Sequence, residues 1–133
     1  MSAPTPDRLQ VGIVPRDITA SLAFYRDVLG LTYAGARPAL EGRTLHLFDL
    51  GTATVKLLEG TRLPQRREPP GAYATSEGIR WVTLDVGDLA AVVERCRAAG
   101  ARFQLEPTEI RTGVRVAIVE DPDGNAIELV ERG

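Results

Sequence analysis

"LQVGIVPRDITASLAFYRDVLG", residues 9–30, runs a short apolar stretch into Asp17, then a helical pattern, then Gly30. "RWVTLDVGDLAAVVERCRAAG", residues 80–100, does the same. In this register Gln10 aligns with Trp81, Val11 with Val82, Ile13 with Leu84 and Asp17 with Asp88. Further on, "TATVKLLE" ending at Glu59 matches "NAIELVE" ending at Glu131, with one residue of drift. Internal self-similarity of this kind decides the architecture before any single element does, because copies of one supersecondary unit fold alike.

Each half predicts the same elements. Asp17 and Asp88 are N-caps, since a short side-chain acceptor satisfies the free N–H groups of a first helical turn. Ile18, Leu22, Tyr25 and Leu29 then recur at helical spacing, as do Leu89, Val92, Val93 and Cys96. Gly30 and Gly100 are the helix stops, where a left-handed residue is commonly needed. Three strands are expected after each helix, over 31–36, 43–50 and 53–59, then 101–105, 113–120 and 125–131. Leu50-Gly51-Thr52 and "DPDGN" at 121–125 supply turns. The expected fold class is α+β: two β-α-β-β-β modules forming a curled, half-barrel sheet around a central cavity. The chain is one domain, with a module over 8–59, a linker over 60–78 and a module over 79–131. The linker, "GTRLPQRREPPGAYATSEG", is rich in Pro, Gly and Arg and has no apolar period.

Strand parity sorts the faces. Val55 and Leu57 alternate with Thr54 and Lys56, and Ile127 and Leu129 alternate with Ala126, Glu128 and Val130. The aliphatic sets belong against the helices, which sends Lys56 and Glu128 to the other side. The same alternation puts Gln10, Gly12 and Val14 on that side in one half, and Trp81, Thr83 and Asp85 in the other.

Composition excludes whole classes of function. With 133 residues, 44% hydrophobic and 26% charged, the chain has the profile of a soluble globular protein. A net charge of −2 gives no electrostatic reason to expect nucleic acid, and Arg62, Arg66 and Arg67 sit in a Pro-interrupted loop. No apolar run suggests a membrane span. "MSAPTPDR" lacks the pattern of a secretion signal and Cys96 is the sole cysteine, so a cytoplasmic location is expected. No Ser nucleophile motif, phosphate loop or dinucleotide fingerprint occurs, and Cys96 sits on an apolar helix stripe.

Paired modules carrying "VGIVPRDITASLAFYRDVLGL" and "DPDGNAIELVE" resemble the vicinal oxygen chelate superfamily. It includes glyoxalase I, methylmalonyl-CoA epimerase, extradiol dioxygenases, fosfomycin-modifying enzymes and bleomycin-resistance proteins. The resemblance extends from about Leu9 to Glu131 and implies the half-barrel fold, with a site where two modules face each other. It also implies homodimerisation, which exposed strand edges favour. In metal-dependent relatives the opening residue of each module's first strand and one residue of its last strand hold an ion. Carried over, those positions are Gln10, Lys56, Trp81 and Glu128.

This set is poor in donors. Indole N–H only donates and protonated Lys has no lone pair, which leaves a neutral amide and one carboxylate for a divalent ion. The only histidine, His46, lies off these positions. No metal and no other cofactor are expected, and glyoxalase chemistry is not expected either. The only Lys and the only Trp both fall on former ligand positions. Lys56 is either an edge-exposed charge or the partner of Glu128 in an ion pair; Trp81 is either a core aromatic or a ligand-facing surface.

Three functional classes follow. One is a metal-independent binder of aromatic or natural-product-like small molecules, as in antibiotic-resistance members of the family. There Trp81 stacks on the ligand, with Gln10, Phe48, Asp85 and Tyr73 as further contacts. Another is a metal-free isomerase, epimerase, cyclase or lyase with Glu128 as base and Lys56 or His46 stabilising an enolate. The last is an interaction domain without chemistry. The first is preferred.

Overall fold

The computed structural model describes residues 6–133, so the part of the N-terminal reading that falls on residues 1–5 lies outside the described residues. The chain divides into two compact units, one ending at Gln65 and the other running from Arg66 to Gly133. The fold is α+β, with two β-α-β-β-β modules of the half-barrel type.

The first unit contains β1 (Leu9–Ile13), α1 (Ile18–Ala23), β2 (Thr32–Pro38), β3 (Thr44–Asp49) and β4 (Ala53–Glu59). Its sheet order is β1-β4-β3-β2, with β1 parallel to β4 and the other pairs antiparallel. The second unit repeats this with β5 (Trp81–Asp85), α2 (Leu89–Ala98), β6 (Phe103–Arg111), β7 (Val114–Glu120) and β8 (Ala126–Arg132), in the order β5-β8-β7-β6.

The caps form as the sequence predicts. Asp17 accepts the Ala20 amide and Asp88 the Ala91 amide, each at 3.1 Å. Gly30 and Gly100 close the helices at φ 80° and 74°, a region that costs a residue with a Cβ about 1 kcal/mol or more. In α2 the predicted stripe of Leu89, Val92, Val93 and Cys96 is buried.

Two elements depart from expectation. The first helix does not continue as an α-helix. From Phe24 to Val28 it widens to a π turn, and the Leu29 amide reaches the Phe24 carbonyl at 2.9 Å. The wider turn brings two consecutive aromatics, Phe24 and Tyr25, into the core edge to face, with ring centroids 5.5 Å apart. Strand β6 continues to Arg111 instead of ending near residue 105, with register breaks on either side of Pro107. Proline cannot donate to the ladder, so the strand bulges there and resumes.

In each unit the core lies between helix and sheet: Phe24, Tyr25, Leu29, Phe48, Val55 and Leu57 in the first, and Leu84, Val93, Cys96, Ile127 and Leu129 among others in the second. Among the described residues no helix is long and apolar enough to cross a membrane.

Candidate functional site

Trp81 opens β5 and pairs in register with Ala126 on β8, followed by Thr83 with Glu128 and Asp85 with Val130. Side chains opposite one another in a sheet share a face. One face of the second unit therefore carries an indole, a hydroxyl and two carboxylates, with Ile118 of β7 opposite Glu128. Trp81 is 47% exposed, so it is no core aromatic. Tyr73 meets it edge on, ring centroids 5.5 Å apart and planes at 88°.

Tyr73 is held by Gln104, whose side-chain carbonyl accepts the Tyr73 amide at 2.8 Å. The amide end of Gln104 donates to the Gly71 carbonyl at 3.0 Å and to Glu120 at 3.2 Å. Arg80 gathers the carbonyls of Pro70, Ala72 and Ser76, and Arg67 donates to Asn125 at 3.0 Å. The Pro- and Gly-rich segment thus has a defined path over the second unit, although it forms no strand or helix. Nothing in its sequence announces this, because its anchors Gln104 and Asn125 lie far along the chain.

Glu128 is half-buried, and Thr83 Oγ1 donates to its Oε1 at 2.8 Å. A carboxylate oriented in this way can accept a hydrogen bond from a ligand or take a proton from it. Asp85 accepts from Arg132 Nε at 3.2 Å, an exposed pair of small energetic weight. That Thr83 shares a face with Trp81 is legible from parity. Its bond to Glu128 depends on the β5–β8 register, which a local pattern does not specify.

In the first unit Gln10 is exposed on β1, two residues before Gly12, and Gly12 stands opposite Lys56. Lys56 is half-buried and has Leu47 across from it on β3. Arg8 donates to Thr54 Oγ1 at 2.7 Å on this same face. His46 and Phe48 lie elsewhere. They pair with Leu57 and Val55, so they point to the side that α1 covers. Phe48 is fully buried and touches the rings of Tyr25 and Tyr33. His46 is engaged at both nitrogens, with Tyr33 Oη 2.9 Å from Nδ1 and Glu59 Oε1 2.9 Å from Nε2. The sheet therefore does not bring His46 or Phe48 to the face of Lys56. Neither Tyr33 nor Glu59 gave a sequence signal, since their meeting depends on β2, β3 and β4 lying side by side.

At the four positions to which the family resemblance assigns ligands, the side chains are poor donors for a divalent ion. Trp81 and Lys56 offer no lone pair, and only Gln10 and Glu128 carry an acceptor oxygen. Among the described residues no three His, Cys, Asp or Glu side chains cluster as metal ligands.

Comparison with known proteins covers nearly the whole chain. The family profile described as Glyoxalase/Bleomycin resistance protein/Dioxygenase superfamily matches residues 8–129. A probable lactoylglutathione lyase from Synechocystis is 29% identical over 121 residues, spanning 86% of this chain and 87% of that protein. A glyoxalase family protein from Bacillus cereus superposes with a TM-score of 0.80 at 18% identity, over 99% of this chain and 98% of that one. TnmS3, an antibiotic binding protein from Streptomyces sp. CB03234, superposes with a TM-score of 0.69 at 18% identity, over 100% and 99% of the two chains. At such identities the superpositions speak for the fold alone.

Proposed function

This chain belongs to the Glyoxalase/Bleomycin resistance protein/Dioxygenase superfamily, and on that premise we propose that it is a metal-independent binding protein for aromatic, natural-product-like small molecules. The observation that carries the reading is Trp81: a half-exposed indole braced by Tyr73, on the same sheet face as the Thr83–Glu128 pair. An indole face gives a planar ligand a large apolar contact, and a fixed carboxylate beside it orients a hydroxyl or amino group. Asp85, on the same face of the second unit, is a proposed polar contact. His46 and Phe48 have no direct part, since each is committed to the helix-covered side. Metal independence rests on the donor set, and the protein is proposed to act as a cytoplasmic homodimer.

Trp81 is the only tryptophan, so its fluorescence reports on the site without a label. Planar aromatics graded from 1-naphthol to quercetin are expected to quench it saturably, without chemical change. By calorimetry, Trp81→Leu should weaken binding by about 1 kcal/mol, roughly fivefold. Undiminished binding by that variant, or stoichiometric Zn, Ni, Mn or Fe in the purified protein, refutes the reading.

The Thr83 hydrogen bond also supports a second reading, a metal-free isomerase, epimerase, cyclase or lyase with Glu128 as the base. Conversion of a bound compound that Glu128→Gln abolishes while binding persists would select it.

A further inference from the structure

A cavity of about 670 Å³ lies in the first unit at the ends of β1 and β4, and none of the residues assigned above lines it. Its apolar wall includes Val14, Leu58 and Leu63, and Val14 and Leu63 are 56% and 65% exposed. Carbon surface that open, gathered in a concavity, is what a ligand's hydrocarbon part would cover.

The polar wall has a definite charge. Glu41 sits in the left-handed region at φ 61°, ψ 36°, a conformation uncommon for a residue with a side chain. From there its carboxylate accepts from Arg43 Nη1 at 2.8 Å, so these two charges neutralise one another. Arg62 also lines the cavity, and among the described residues no acceptor satisfies its guanidinium. The lining therefore presents one uncompensated positive charge.

Gly60 keeps the approach clear. A Cβ at this position would stand 3.3 Å from the Arg62 carbonyl oxygen and 3.9 Å from Arg43 Nε. Arg16 Nη1 donates to the Pro64 carbonyl at 3.3 Å and holds the loop in place.

We propose that this cavity is a second binding site, which takes an amphipathic monocarboxylate. The carboxylate lies on the Arg62 guanidinium, whose planar fork matches two oxygens at once, and the hydrocarbon covers Val14, Leu58 and Leu63. A single net charge in the lining matches a monoanion and not a phosphate dianion.

The test uses the full chain and three probes of equal length: octanoate, octan-1-ol and octylamine. Octanoate is expected to shift the amide NMR signals of residues 60–63 saturably. Octan-1-ol and octylamine should bind at least about tenfold more weakly. Arg62→Ala, a change in an exposed loop, should weaken octanoate by about tenfold, the scale of a lost charge-assisted contact. Arg62→Lys should recover part of the loss. Trp81→Leu should leave octanoate binding unchanged, which separates this site from the one proposed above. Equal binding of octan-1-ol, unchanged affinity in Arg62→Ala, or shifts confined to residues outside the cavity would each overturn the proposal.

Discussion

Thr83 and Glu128 show how one hydrogen bond gives a side chain a direction. The acid lies half-buried beside an exposed indole, and the hydroxyl across the strand pair holds one of its oxygens. Cys96 is the opposite case, a reactive group kept from reacting. It is fully buried on α2, and burial pushes its thiol above the ordinary range because the thiolate would have to leave water. A native thiol held neutral while the unfolded thiol ionises contributes stability that is complete below the unfolded pKa. That contribution fades as pH rises through and beyond it. Ellman's reagent at pH 8 should therefore leave Cys96 almost untouched in the native protein and titrate one thiol after guanidinium unfolding. Rapid native reaction would show that the α2 stripe is open.

At the scale of elements, the caps were legible because each is settled within four residues: Asp88 needs only the Ala91 amide that follows it. The π turn was not, because it answers to the sheet beneath. Within it the adjacent Phe24 and Tyr25 are both buried, and Tyr25 packs against Phe48. The segment from Arg66 to Arg80 is the second such case, since its path depends on contacts with β6 and with the turn before β8 that have no local pattern. Gln104→Ala removes two of those contacts, the hydrogen bonds to Tyr73 and Gly71. Amide exchange over residues 70–75 is expected to accelerate by about tenfold or more, while the thermal midpoint moves by only a few degrees. Unchanged exchange would mean that Arg67 and Arg80 hold the segment without Gln104.

At the scale of the whole chain, the repeat makes a prediction about energetics. Leu57 and Leu129 are both fully buried on the last strands, opposite Ile13 and Leu84, which the repeat aligns. Leu57→Ala and Leu129→Ala should each cost about 2–5 kcal/mol in urea unfolding, the range for emptying a packed leucine site. A cost well under 1 kcal/mol at either would show a loosely packed unit. The two-module α+β fold, the helix caps and stops, and the inward aliphatic rows were decided by the sequence itself. Hydrophobic period, capping residues and turn glycines act over a few residues and repeat in both halves. The donor chemistry of Gln10, Lys56, Trp81 and Glu128 was also a property of residue type alone. Tertiary structure decided which candidates share a face and what each one touches. It turned His46 and Phe48 toward the helix, joined Thr83 to Glu128, braced Trp81 with Tyr73 and shaped the open cavity at Arg62. The physical reason is common to all of these: each depends on strand register and loop path, which bring together residues far apart in the chain.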